Sequence, residues 1–90
     1  MIRAIQTKPP AGTAHHEPDG DVHVWQLEAS ADGREWRTVN AGVLREGQLH
    51  VRGRFHPHET QYRVLWVPEG GGGFVLGDQG PLDGRRSKYR

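Results

Sequence analysis

The sequence predicts an all-β domain: a small antiparallel β-sandwich of five to seven short strands, with extended N- and C-terminal arms. Apolar and polar residues alternate from Gly47 to Val67, as they do in a half-buried strand, whose successive side chains leave on opposite faces. Thirteen Gly and six Pro among 90 residues leave little room for a long helix. Short apolar runs also recur at roughly 8–12-residue intervals with turn residues between them, which is typical of sandwiches and small barrels.

We expect three segments along the chain. Residues 1–21 start with a strand at 1–6 and continue as a Pro/Gly-rich polar arm without periodicity. Residues 22–76 form the sandwich, and residues 77–90 have the composition of a basic extended tail. With 33% hydrophobic residues and a mean hydropathy of −0.80, the chain makes one domain with a modest core.

Within the sandwich, residues 22–29 form a strand that ends at a turn, Ser30-Ala31-Asp32-Gly33, where Gly supplies a positive φ. Residues 34–40 return along it, and residues 41–46 are a weaker strand or a continuation of the same one. The next two strands lie on either side of a polar crossing that contains a proline, which cannot join a ladder. Residues 74–76 make a last short strand. The candidate core residues are Trp25, Trp36, Leu49, Val51, Phe55, Tyr62, Val64 and Trp66.

Three stretches, VWQLEASADGREWRTV, GQLHVRGRF and HETQYRVLWV, resemble the later half of a fibronectin type III or related immunoglobulin-like domain. The resemblance covers residues 22–76 and implies an immunoglobulin-like sandwich. It also implies that Tyr62 is a corner tyrosine, whose hydroxyl bonds back to the preceding crossing. Little room is left before Val22 for the family's first two strands, so the sandwich is either truncated or borrows a strand from a neighbour. The segments 30–36 and 61–67 also resemble parts of a discoidin-type carbohydrate-binding domain.

Six histidines raise the question of a metal site, with His56-x-His58 and His15-His16-Glu17 as candidate ligands. The first pair contains Pro57 and the second lies in the arm, so we favour histidines that simply lie on the surface or in turns. A metal site and a role in an interface are the two other interpretations. The chain has no Cys, and its serines lie in a turn and in the tail. We therefore predict no metal, no cofactor and no enzymatic activity.

The C-terminal tail is the strongest local indication of a partner. Its last six residues carry four positive charges, so the rest of the chain is net acidic. Such a tail is either a solvated terminus, a phosphate-binding segment with an aromatic for base stacking, or a strap along an acidic surface of a neighbouring subunit. The candidate partner-binding residues are Arg85, Arg86, Lys88, Tyr89 and Arg90.

The sequence thus favours a non-enzymatic structural module. Immunoglobulin-like domains recur in virion proteins of tailed bacteriophages, and the resemblance implies a head decoration protein or a minor head or tail component. We expect other virion proteins or copies of the chain as partners, a virion location and no membrane segment. The alternatives are a cytoplasmic nucleic-acid-associated β-barrel that uses the basic tail, and a discoidin-like module that binds sugars through Trp25, Trp36 or Trp66.

Overall fold

In a computed structural model that describes residues 1–82, the chain folds into seven strands and two antiparallel sheets. The predicted all-β sandwich is confirmed. Within residues 1–82 there is no helix long and apolar enough to cross a membrane. The strands are β1 (Ile2–Thr7), β2 (His15–Glu17), β3 (Gly20–Ser30), β4 (Arg37–Leu44), β5 (Leu49–Arg54), β6 (Gln61–Trp66) and β7 (Val75–Pro81).

The larger sheet is organised around β3, an 11-residue strand that pairs with three others. Its first residues pair with β2, while its remainder pairs with β4 and with β6, and β6 in turn pairs with β7. The smaller sheet consists of β1 and β5 alone, which we call the β1–β5 ribbon. Strand β4 contacts β5, so the two sheets meet along that side.

The core lies between the ribbon and the larger sheet. Alternation places Trp25 and Leu27 of β3 on the inner face together with their cross-strand partners Trp66 and Val64. The ribbon contributes inward side chains at alternate positions of both of its strands. The buried cluster is Ile5, Trp25, Leu27, Ala29, Leu49, Val51, Phe55, Val64, Trp66 and Leu82.

Of the expected core residues, Tyr62 lies at the margin of the cluster and Trp36 lies outside it. Tyr62 is partly buried and packs against the cluster from its margin. Trp36 lies outside the cluster, directly before β4, where its ring covers the guanidinium of Arg63 at 4.0 Å from the ring centroid. The expectation for Trp36 is wrong because a turn residue that precedes a strand is not bound by that strand's alternation.

The expected arm at residues 7–21 contains a short hairpin. His15 pairs with Val22 and Glu17 with Gly20, and Pro18-Asp19 forms the turn between them. Thr13 is fully buried, and its hydroxyl donates a hydrogen bond to the carbonyl of Pro10 at 2.7 Å. The sandwich therefore begins before residue 22, where its N-terminal boundary was expected.

The C-terminal boundary also differs from the expected one at Leu76. Strand β7 runs on to Pro81, and the side chain of Leu82 lies in the core. Gly77 lies under the ring of Trp66, where a β-carbon would clash with the indole. The segment that reads as the start of a tail is therefore the last strand of the sheet, although its Gly and Asp residues lack strand character.

Candidate interaction surfaces

The free edge of β5 is closed by side chains of β4. The carbonyls of Arg52 and Arg54 accept hydrogen bonds at 3.1 Å from the Asn40 amide and the Arg37 guanidinium respectively. Each bond satisfies a backbone oxygen that the ladder with β1 does not use. The ribbon is thereby tied to the larger sheet along this edge.

Arg37 also forms a bidentate ion pair with Glu59, both bonds being 2.8 Å long. Glu59 is 6% exposed and accepts a third hydrogen bond from the backbone N–H of His56. The hydrogen bonds from Arg37, with the smaller contributions of the His56 N–H and the charge of Arg37, lower the pKa of Glu59 from 4.5 to about 2, against the opposing effect of burial. This ion pair fixes the crossing between β5 and β6 against the start of β4.

The outer face of the larger sheet carries an apolar area. Val24 and Val43 are cross-strand partners there, and so are Leu65 and Leu76. Val43 and Leu76 are 56% and 50% exposed, so two large apolar side chains stay in contact with water. We call the set Val24, Ala41, Val43, Leu65 and Leu76 the outer apolar patch.

A polar cluster borders the outer apolar patch. Glu28 accepts a hydrogen bond from Arg63 at 2.8 Å and another from the side-chain amide of Gln26 at 2.7 Å. The same amide donates to the hydroxyl of Thr38 at 3.0 Å, and Trp36 covers Arg63 from outside. The buried carboxylate of Glu28 thus has both of its oxygens hydrogen-bonded within the sheet. The polar cluster forms a rim along the outer apolar patch.

The outer face of the ribbon is basic. His50, Arg52 and Arg54 are exposed at alternate positions of β5, opposite Gln6, Ala4 and Ile2 of β1. We call these three residues of β5 the basic row. Within residues 1–82, neither Arg52 nor Arg54 has an acidic side chain within ion-pair distance. Just beyond the row, the rings of His56 and His58 stack with 5.6 Å between centroids.

The remaining histidines make separate local contacts. His15 bonds to the carbonyl of Val67 at 3.1 Å, while His23 bonds to the hydroxyl of Thr13 at the same distance. His16 lies 2.7 Å from Asp21 and 3.5 Å from Glu69, and the hydrogen bond to Asp21 raises the pKa of its imidazole. In the part of the chain that the structure describes, no three His, Cys, Asp or Glu residues form a group that could hold a metal ion.

Of the tryptophans proposed for sugar contact, Trp25 and Trp66 are buried, and Trp36 is partly exposed.

Among residues 1–82, the Tyr62 hydroxyl has no hydrogen-bond partner, so the corner bond implied by the resemblance is not formed with them. The predicted partner-binding residues Arg85, Arg86, Lys88, Tyr89 and Arg90 lie outside the described residues. The basic row was not predicted as an interaction surface, although His50, Arg52, Arg54, His56 and His58 occupy alternate positions in the sequence.

No family model matches the chain, and neither a curated protein nor a solved structure is significantly similar to it.

Proposed function

We propose that the chain is a non-enzymatic interaction module that holds neighbouring subunits together in a large protein assembly. The outer apolar patch is the observation that carries this proposal. Isolated exposed apolar residues are normal on a soluble protein, but a group of apolar residues on one sheet face beside a polar rim is typical of a binding surface. Burying the side chains of Val43 and Leu76 against a partner would remove both from water.

The assembly that fits best is the virion of a tailed bacteriophage, with the chain as a head decoration protein or a minor head or tail component. The support is the resemblance of residues 22–76 to immunoglobulin-like domains, together with the pairing of the strands. Strands β7, β6, β3 and β4 lie in that spatial order and face a second sheet, which is the arrangement of the G, F, C and C′ strands in an immunoglobulin-like sandwich. The localisation that follows is the virion, assembled in the host cytoplasm.

The test is sedimentation of the tagged chain from its natural host under the conditions in which the gene is expressed. We expect it to sediment with particles of megadalton mass and to remain bound after nuclease treatment and after a wash in high salt, because apolar contacts are not screened. Val43→Asp and Leu76→Asp should release it, while Ala11→Asp, on an exposed loop, should not. Recovery of the wild-type chain only in low-mass fractions would refute the proposal.

A mass measurement on the purified protein sharpens this result. A stable ring of identical chains would indicate self-assembly through the outer apolar patch, and Val43→Asp should then give monomers. A monomer would indicate that the partner is a different subunit, as expected for decoration of a preformed lattice.

The basic row favours a second candidate, a nucleic-acid-associated β-domain. Cationic side chains repeated along a strand can follow a phosphate backbone, and such binding weakens steeply with salt. Release of the chain from its particles by nuclease, together with retention of Val43→Asp, would favour this function over the first.

A further inference from the structure

The hydrogen-bonding pattern of the ribbon shows which backbone groups β1 leaves free. Met1 and Phe55 exchange both of their backbone hydrogen bonds, so they form a hydrogen-bonded pair of the antiparallel ladder. Such pairs alternate with pairs whose N–H and C=O groups point away from the partner strand. From the register of β1 on β5, the residues whose groups point away are Ile2, Ala4 and Gln6.

These groups form an open edge. Within residues 1–82, no backbone N–H or C=O of Ile2, Ala4 or Gln6 has a protein partner on the side away from β5. The other edge of the ribbon differs, because there Asn40 and Arg37 bond to the carbonyls that point outward.

The open edge has only one of the features that normally prevent strand addition, the inward-pointing charge of Arg3, whose Nη1 is buried without a hydrogen-bond partner within residues 1–82. Protected edges carry proline, a bulge, glycine or an inward charge. Strand β7, the other terminal strand, has Pro81, two glycines, Asp78 and a register shift against β6. Strand β1 (IRAIQT) contains neither proline nor glycine, and its register on β5 is continuous. Ile2, at 57% exposure, and Ala4 are uncharged and exposed beside the free backbone groups.

We propose that the open edge of β1 is a strand-acceptor site for an extended acidic segment of a partner polypeptide. The proposal rests on the proposed function in one respect, namely that the partner is a protein of the same assembly. The added segment would exchange backbone hydrogen bonds with Ile2, Ala4 and Gln6 and would extend the ribbon to three strands. Recognition through a sheet edge takes its affinity from the main chain and its specificity from alternate side chains.

The basic row determines the chemistry of those alternate side chains. A strand beside β1 would lie two strand spacings, roughly 10 Å, from β5. Its alternate side chains would point to the same face of the sheet as Arg52 and Arg54. Ala4 lies directly opposite Arg52, so its small side chain leaves room for the guanidinium to extend toward the added strand. Glutamate or aspartate at alternate positions of that strand would pair with Arg52 and Arg54.

Two other occupants are disfavoured, one by charge and the other by the lack of large aromatic side chains. A second copy of β1 would bring no acid, and would place two basic rows on one continuous sheet. A nucleic acid strand would find no Phe, Tyr or Trp side chain among the outward residues of the ribbon on which to stack its bases.

The test uses a labelled peptide of about six residues in which glutamate alternates with valine or threonine. Its binding to the full chain is measured by fluorescence polarisation, and amide exchange of the protein is followed by NMR. We expect binding in the micromolar to millimolar range and about tenfold slower exchange at the N–H groups of Ile2, Ala4 and Gln6. A peptide with lysine in place of glutamate should not bind.

Two variants separate the backbone contribution from the charge contribution. Ala4→Pro removes an N–H that the ladder with β5 does not use, so it should abolish binding while the exchange protection of Val51 and Gly53 persists. Arg52→Gln/Arg54→Gln leaves the backbone unchanged and should weaken binding about tenfold. The matched control, Arg34→Gln/Arg45→Gln, removes two exposed charges elsewhere and should have no effect.

Two results would overturn the proposal. One is the lack of detectable binding at about 1 mM peptide. The other is equal binding of the peptide to Ala4→Pro and wild type, together with binding of a single-stranded oligonucleotide that depends on Arg52 and Arg54. That outcome would make the basic row a general polyanion surface. If the chain still sediments with its particles in either case, the proposed function stands and only the strand-acceptor site fails.

Discussion

The five-stranded sheet and the β1–β5 ribbon are stabilised in different ways. The larger sheet buries aromatic side chains of β3 and β6 over much of its inner face. The ribbon has only two strands, and a two-stranded sheet is marginal by itself. It is held by its inward apolar residues and, along one edge, by Asn40 and Arg37. The comparison indicates that loss of core volume should affect the whole domain, whereas loss of a polar contact should affect mainly the attachment of the ribbon.

The largest effect is expected from Trp66→Ala. The side chain is fully buried between β3, Gly77 and the ring of His23, so the substitution leaves a large cavity. We expect a loss of about 3–5 kcal/mol in the free energy of unfolding, measured by urea denaturation. Trp36→Ala is the matched control, because it removes an indole from the outer face and should cost about 1 kcal/mol. Equal losses for both variants would show that the core is not centred on Trp66.

The next effect is expected at Glu59, which joins the crossing after β5 to β4. Glu59→Gln removes the buried carboxylate of an ion pair whose guanidinium is partly exposed, and it should cost about 2 to 3 kcal/mol near pH 7, while the exposed Glu46→Gln should be neutral.

The same carboxylate gives a specific pH dependence. The pKa of the Glu59 carboxyl is about 2 in the folded protein and 4.5 in the unfolded chain. Its contribution of about 3 kcal/mol to the free energy of unfolding is therefore complete above pH 4.5 and is lost as the pH falls toward 2. At about pH 3, some 2 kcal/mol of it should be gone. The difference between wild type and Glu59→Gln in urea denaturation should therefore shrink from near pH 7 to near pH 3. A constant difference would contradict the assignment.

The smallest effect is expected at Asn40, whose amide closes the edge of β5. Asn40→Ala leaves the carbonyl of Arg52 without its protein partner and should cost about 1 kcal/mol. Amide exchange should quicken more in β1 and β5 than in β3 and β6, because the ribbon is the element that loses its attachment. Uniform quickening across both sheets would show that the ribbon and the larger sheet unfold as one unit.

The parts of the fold that the sequence predicted are those with clear alternation. Strand β5 alternates throughout, β3 alternates apolar and polar residues from Trp25 to Ala29, and β6 does so before its apolar end. The turn at Asp32-Gly33 has the residues that a tight turn requires. Strand β7 lacked this signal, because Gly77 and Gly80 are there to make room for the rings of Trp66 and Tyr62. Only the packed structure shows that these two positions must be without a side chain.

The hairpin of β2 and β3 was only partly predictable from the sequence. Pro18-Asp19-Gly20 is a recognised turn sequence, but the flanking histidines gave no apolar alternation. The interaction surfaces were less predictable. The outer apolar patch combines one or two residues from each of four strands, which alternation within any one strand does not reveal. The ion pair of Arg37 and Glu59 joins residues 22 positions apart, so only the tertiary structure brings them together.

The sequence separation between paired strands has a consequence for the order of folding. Strand β3 meets β2 and β4 through short turns, whereas the residue pairs of β1 and β5 are 42 to 52 positions apart. Closing the longer loop costs more chain entropy, so we expect the β3 hairpins to nucleate folding and the ribbon to form last. Conservative substitutions should then give φ-values that are high at Leu27 and near zero at Val51, and the reverse ranking would contradict this order. The edge that accepts a partner strand would thus exist only in molecules whose core is already complete, so that capture by a neighbour selects finished subunits.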